Sequence, residues 1–340
     1  YLKSIKSLIL YLHNLRSMNF KYHCKAFALA LSTLFIKPES FLGQTIQVGF
    51  GSVTAIPADF MGFNGSNVIR PDNPFFDDSN LINKFSELSA GNSRFPAGEI
   101  ANWWDWRIGC IKTTLPSDIT IRGDLESLNY KDNTLNRYKT LVDRSVVTPL
   151  FDLNLMTSNR FYEAAGLYYA NGLNLPVKYI EFGTEFYLDK DEYIAKYPSA
   201  KNYAADANAW AAYLRTLPGG PSLKIAALGA VDKYPAEPHY SRQNVWTPQL
   251  LPFLSNDINA VTLHNYVGGN TGASAVSLSN LPSVMAAPFQ SWASLSPELN
   301  LIRSYGKDVW ITEFNLFDRS HCLQGTWASG LFASAMQLTF

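Results

Sequence analysis

Cysteine is scarce in this chain of 340 residues, with three in all. Cys24 falls in a leader-like stretch, which leaves Cys110 and Cys322 to form one bridge in an oxidising compartment or to remain free thiols. No sign of charge predominates either. The 28 basic and 28 acidic residues form no long runs, so the chain offers no electrostatic footprint for nucleic acid or an anionic membrane, and a neutral partner is expected. The Gly-x-Ser-x-Gly elbow, the Walker loop, His-Glu-x-x-His and Cys-x-x-Cys are all missing, which removes the usual signatures of serine hydrolases, nucleotide enzymes, zinc peptidases and redox or zinc sites. "VGGNTGAS" (267–274) is rich in glycine but has no basic residue, so it reads as a cleft loop and not a phosphate cradle. "RPDNPFFDDSN" (70–80) has oxygens for calcium, but the same Asp and Ser residues serve to cap the following helix. No metal and no cofactor are expected. Asn64-Gly65-Ser66 is a glycosylation sequon placed beside a strand end, and it carries little weight.

What is present begins with a leader. Met18, Lys21 and Lys25 precede the apolar run "AFALALSTLFI", which is too short to span a bilayer and has the basic-then-apolar order of a secretory signal peptide. A buried helix is the alternative. Residues 1–43 are therefore read as upstream leader and signal peptide, and the mature chain as secreted or extracellular, without a membrane span. Hydrophobic residues make up 47% of the chain, enough to bury the core of one large barrel or of two ordinary domains.

Short apolar runs then alternate with amphipathic stretches. "FMGFNGSNVI", "NSRFPAGEIA", "TPLFDLNLMT", "VKYIEFGTEF", "LKIAALGAV", "NAVTLHNYV" and "DVWITEFNL" read as strands. Segments 78–90, 131–146, 158–172, 202–217, 243–255, 292–305 and 325–339 read as the helices between and after them. Strict alternation predicts a parallel sheet covered by helices. The expected fold class is α/β, a (β/α)₈ TIM barrel over residues 58–340, because no glycine-rich phosphate fingerprint follows the first strand. An eighth strand is not found, so the barrel is expected to be truncated before it. "QTIQVGFGSVTAIP" (44–57) alternates like a strand or hairpin and is assigned to part of an accessory β-domain.

Two glutamates interrupt these apolar runs at informative places. Glu185 ends the fourth run and Glu313 closes "VWITE" in the seventh. In a barrel of this kind the chemistry sits at the carboxyl ends of the strands, so both carboxylates are expected to face one mouth. Two carboxylates across a cleft are the minimal apparatus for glycosidic bond cleavage; a retaining pair stands about 5–5.5 Å apart. Surface placement, or neutralisation by an arginine, is the alternative for either glutamate alone.

These residues resemble the large superfamily of retaining barrel glycosidases, with its acid/base and nucleophile glutamates on strands four and seven. "YIEFGTEFYL" is similar to the acid/base motif, and "WITEFN" to the nucleophile strand. "RFPAGEIANWWDW" (94–106) resembles the Arg-Phe-Pro stretch running to Trp-Asp-Trp in enzymes related to heparanases, glucuronidases and arabinofuranosidases. The resemblance implies that Glu185 is the acid/base and Glu313 the nucleophile of a retaining glycosidase acting on a carbohydrate. Thr184 departs from it, standing where the superfamily has an asparagine that contacts the sugar 2-hydroxyl, so that contact is lost or remade. Ala97 and Glu99 likewise replace glycine and threonine.

Further residues fit a sugar cleft. Trp103 and Trp104 offer faces for stacking, and Asn102 and Asp105 can hydrogen-bond hydroxyls; a packed aromatic cluster is the alternative. His264 and Tyr266 share one face of the sixth strand, and the resemblance implies that they line the cleft, whereas a satisfied core histidine is the plain reading. Asn154 on the third strand is a candidate of the same kind. Arg94 and Arg70 stand near strand ends, ready to orient the nucleophile or to make ordinary ion pairs. Glu181, two alternations before Glu185, is read as a supporting group deeper in the barrel. The rival function is a carbohydrate-binding barrel without turnover, while a lyase or isomerase would call for metal ligands or a catalytic lysine at strand ends.

Overall fold

The computed structural model describes residues 57–65, 74–111, 132–231, 241–267, 281–316 and 326–339. The leader, nearly all of 44–57, Arg70, Cys322, and the glycine-rich loop beyond Val267 lie outside the described residues. Each of the seven apolar runs contains one strand of a single parallel sheet. In chain order these are β1 (Gly62–Asn64), β2 (Asn92–Phe95), β5 (Thr148–Leu153), β6 (Tyr179–Phe182), β7 (Lys224–Leu228), β8 (Ala260–Val267) and β9 (Asp308–Leu316). The spatial order is the same as the chain order, and the sheet curls into a nearly closed barrel with β1 and β9 at its edges. The expected (β/α)₈ architecture, short of its eighth strand, is what these residues form. β3 (Trp104–Asp105) and β4 (Cys110–Ile111) make a small antiparallel pair after β2.

Helices follow the strands as parallel crossovers require. They are α1 (Ser79–Glu87), α2 (Leu135–Ser145), α3 (Arg160–Gly172), α4 (Asp191–Lys196), α5 (Ala200–Arg215), α6 (Ser241–Leu250), α7 (Leu281–Ser304) and α8 (Trp327–Thr339). Asp78 caps α1, its side chain accepting from the backbone N–H groups of Asn80 and Leu81 at 2.9 and 3.0 Å, and Asp77 pairs with Arg137. Asp78 thus serves as a helix cap, one of the two uses read for this acidic stretch. Two helices differ from the expected segments. In place of 292–305, α7 starts at Leu281 and runs through Pro288 and Pro297; Pro252 in the segment 243–255 opens a separate 3₁₀ turn, Leu251–Phe253, after α6 ends. None of the described helices is long and apolar enough to cross a membrane.

The core lies between the outer face of the sheet and the helices. Phe95 and Phe151 point outward, where Phe95 stacks on Tyr138 of α2 with ring centroids 4.3 Å apart and meets Trp104 edge-on at 5.9 Å. The intervening Arg94 and Asp152 therefore face the barrel interior, by the period-two alternation of a strand. The sequence thus stabilises the fold with one face of each strand and leaves the other for charge.

Candidate active site

A single guanidinium organises the interior. Arg94 Nε donates to Glu181 Oε2 at 2.6 Å, Nη1 donates to Glu313 Oε1 at 2.5 Å, and Nη2 stands 2.8 Å from Asp152 Oδ2. Nη2 also donates to the Thr184 hydroxyl at 3.0 Å. All five side chains are buried. The planar fork of arginine suits this task, since it directs donors to several carboxylates at once and its charge persists at any ordinary pH.

The seventh barrel strand presents two adjacent side chains inward by means of a bulge. Leu263 pairs with Ile311, but the next residue, His264, pairs with Glu313, leaving Thr312 as the extra residue of β9. Thr312 donates its hydroxyl to Glu181 Oε1 at 2.9 Å, while Glu313 reaches Arg94. Plain alternation would have sent one of the two outward.

Glu185 is not on a strand. β6 ends at Phe182, and Gly183 (φ 74°) and Glu185 (φ 55°) then adopt left-handed backbone that turns the carboxylate over the barrel mouth. A Cβ on Gly183 would stand 2.3 Å from the Phe186 ring, so only glycine fits. The positive φ of Glu185 is a strained conformation of about 1–3 kcal/mol that surrounding contacts must hold. Asn102 supplies them by gripping the backbone of Thr184, accepting from its N–H at 3.0 Å and donating to its carbonyl at 2.7 Å.

His264 and Tyr266, two residues apart on β8, bridge to the two glutamates. His264 Nδ1 lies 3.1 Å from Glu185 Oε1, which also accepts from the Tyr187 hydroxyl at 3.0 Å. The Tyr266 hydroxyl donates to Glu313 Oε2 at 2.5 Å. One oxygen of Glu185, one of Glu313 and one nitrogen of His264 all lie within 4.8 Å of one another. Such a trio could hold a cation only if His264 were neutral. Burial disfavours its charged form, but the charge of Glu313 and the neighbouring Glu181 and Glu185 carboxylates outweigh this and raise its pKa to about 10. An imidazolium has no lone pair for a metal.

The same charges act on the carboxylates. Burial favours a neutral Glu181, yet Arg94 and the partly facing His264 dominate and lower its pKa to about 2. For Glu185 the burial effect is likewise overcome, chiefly by His264, and its pKa is lowered. The consequences for stability have opposite signs. Glu181, depressed in the folded state, stabilises the fold above its ordinary value of 4.5 and loses this as pH falls towards 2. His264, raised in the folded state, stabilises fully below 6.5 and loses this as pH climbs through that value towards 10. Urea unfolding is therefore expected to show a loss on the order of 3 kcal/mol along that alkaline limb, and His264→Gln should flatten it. An alkaline limb of unchanged slope in the variant would contradict the charged histidine.

Several residues expected in the cleft surface are elsewhere. Trp103 and Trp104 are buried in the hydrophobic core, because the 3₁₀ turn Glu99–Trp103 folds both indoles beneath the barrel wall; they do not offer a stacking face. Thr184 and Asn102 are fully buried, and their polar atoms are spent on Asp152, Arg94 and the turn itself. Asn154 is also buried, donating to the Trp104 carbonyl at 2.8 Å and to Thr157. Asp105 is half-buried and accepts from the Tyr162 hydroxyl at 2.6 Å and the Arg107 N–H at 3.0 Å. These groups position the site rather than face it, since each buried carbonyl and amide near the turn requires a partner. Arg70 lies outside the described residues. Sequence reasoning missed Asp152, Tyr187 and Thr312. An acid within the apolar "PLFDL", in alternation with Asn154, was the available signal for Asp152.

No protein-family model and no curated protein sequence matches the chain. Solved structures do resemble it. A family 51 α-L-arabinofuranosidase from Bifidobacterium longum aligns with 77% of this chain and 57% of its own, at 16% identity and a TM-score of 0.57. The family 51 arabinofuranosidase from Xanthomonas axonopodis pv. citri aligns with 82% and 63%, at 12% identity and a TM-score of 0.60. A 4-O-α-L-rhamnosyl-β-D-glucuronidase from Fusarium oxysporum aligns with 84% and 60%, at 15% identity and a TM-score of 0.55. The chain spans less than two thirds of the length of each of these proteins. At such identities the likeness is one of fold: this chain has the barrel architecture seen in these glycoside hydrolases.

Proposed function

We propose that this protein is a retaining glycoside hydrolase that cleaves O-glycosidic bonds of a polysaccharide or oligosaccharide by double displacement. The observation that carries this reading is the approach of Glu185 and Glu313, whose nearest carboxylate oxygens are within 4.8 Å at the carboxyl ends of the strands. So close an approach supports a retaining pair over an inverting one, which needs room for a water between sugar and base. Glu313, held by Arg94 and Tyr266, is the nucleophile toward the anomeric carbon. Glu185 is the acid/base. The proton it delivers resides on His264 Nδ1, and a bound sugar that excludes water favours the neutral imidazole and carboxylic acid over the ion pair.

The basic-then-apolar stretch from Met18 supports export of the mature chain, and the balanced charge supports a neutral glycan over nucleic acid. The second reading, a binding barrel without turnover, draws on Thr184, whose hydroxyl is consumed inside the network and is not free for a sugar hydroxyl. A panel of aryl glycosides distinguishes them, with the first-formed anomer followed by NMR. Retained configuration is expected, and an inverted product would overturn the double displacement. Tyr266→Phe should leave binding nearly unchanged and lower kcat by about 10–100-fold, because the lost hydroxyl helps position and stabilise the nucleophile. Equal kcat in this variant would remove Tyr266 from the mechanism.

A further inference from the structure

The interior holds more acid groups than its cations can match. Asp152, Glu181, Glu185 and Glu313 stand around Arg94 and His264. Asp152 is the member with the poorest setting for a charge. Its Oδ2 accepts from the Thr184 hydroxyl at 2.6 Å and lies 2.8 Å from Arg94 Nη2, whereas Oδ1 is buried and has no hydrogen-bond partner among the described residues. An ionised carboxylate with one bare oxygen in a buried site is costly; a carboxylic acid whose carbonyl oxygen accepts from Thr184 and lies beside the guanidinium is far less so.

We propose that Asp152 is a neutral carboxylic acid in the resting site, with its proton on Oδ1, and that it acts as a positioning residue by leaving the charge of Arg94 to Glu181 and Glu313. Its bearing on turnover rests on the glycosidase reading above; the proton itself does not. The groups that face Asp152 are Arg94 from β2, Glu181 from β6, Glu313 from β9 and the Tyr203 phenol from α5, with His264 of β8 lying 3.9 Å from Glu181. Burial, aided by Glu181 and Glu313, prevails over Arg94 and pushes the Asp152 pKa up to about 8. When the sugar esterifies Glu313, one negative charge leaves the guanidinium, and Asp152 becomes the acid best placed to replace it by ionising.

The sign for stability follows. A folded-state pKa above the ordinary 3.8 means that the native protein keeps a proton which the unfolded chain has lost, so stability falls as pH rises from about 4 to 8. Asp152→Asn has nothing to ionise and escapes this. Urea unfolding of the full chain should show the ratio of unfolding constants, wild type over D152N, rising by roughly tenfold per pH unit between about pH 5 and 7. A ratio that does not change with pH would overturn the proposal. If D152N does not fold, wild type labelled with ¹³C at the aspartate carboxyls decides alone: one carboxyl carbon should keep its protonated shift at about pH 6, and ionisation of every aspartate there would overturn the proposal. In turnover, D152N should lower kcat more than kcat/KM, because the amide cannot ionise once Glu313 is esterified, and its kcat/KM should hold further into alkali than that of wild type. A kcat/KM that declines in alkali just as wild type does would contradict the neutral acid. Absence of turnover in wild type would instead sink the glycosidase reading and leave the unfolding and NMR results to decide the proton.

Discussion

On the proposed double displacement, Glu313→Ala is expected to lose turnover by at least about 10⁴-fold and to form no covalent intermediate, since the variant lacks the carboxylate assigned to attack the anomeric carbon. Glu185→Ala is expected to fail differently. Substrates with good leaving groups need little protonation, so they should still glycosylate Glu313, and the intermediate should then accumulate for want of a base to activate water. Azide needs no base, and should restore the second step in Glu185→Ala while leaving Glu313→Ala untouched. The structure motivates this asymmetry. Glu313 is buried and accepts from Arg94 and Tyr266, while Glu185 is partly exposed at the mouth, with its Oε1 3.1 Å from His264 Nδ1. Rescue of both variants by azide, or of neither, would contradict the division of roles.

Arg94→Met is expected to cost about 3–5 kcal/mol of unfolding free energy at neutral pH, a large fraction of the stability of an ordinary domain. Methionine keeps the aliphatic stem but carries neither charge nor donor, so the loss is mainly electrostatic: Glu181 and Glu313 would remain buried without their common partner, and Asp152 would lose the guanidinium beside it. The sign of its pH dependence is the informative part. With the cation gone, Glu181, once held ionised, must take up a proton to stay buried, so the variant should recover stability as pH falls towards 5 by more than the protons on Asp152 and His264 give wild type. Calorimetry or urea unfolding across that range reads it directly. A variant as stable as wild type at pH 7 would show that the network contributes little to the fold.

Much of this architecture was legible from the sequence because it rests on local pattern. Runs such as "TPLFDLNL" and "NAVTLHNY" are short, β-branched and aromatic, and bounded by turn residues, which is all a buried parallel strand needs. Glu313, His264 and Tyr266 were legible for the same reason, being polar side chains at the carboxyl end of such runs. What was not legible depends on long-range pairing. Nothing local announces that β9 bulges at Thr312, since the extra residue is defined only against His264 on the neighbouring strand. The tryptophans fell to the same limit. An indole after a strand end suits a sugar face and a protein core equally well, and the 3₁₀ turn that buries Trp103 and Trp104 is set by what it must pack against, Phe95 among others. Asn102 and Thr184 have polar side chains of cleft-like type, but they are consumed by the strained turn that presents Glu185.

The central claim is that Glu313 forms a glycosyl ester during turnover. The most direct measurement is to inactivate the protein with a glycoside fluorinated beside the anomeric carbon, which slows both steps but the second more, then to digest it and map the adduct by mass. The account predicts one sugar per chain, attached to Glu313 in the peptide that contains "VWITEFNL", with the label lost in Glu313→Gln and retained in Glu185→Ala. A label on Glu185, or turnover that continues with neither glutamate modified, would contradict it.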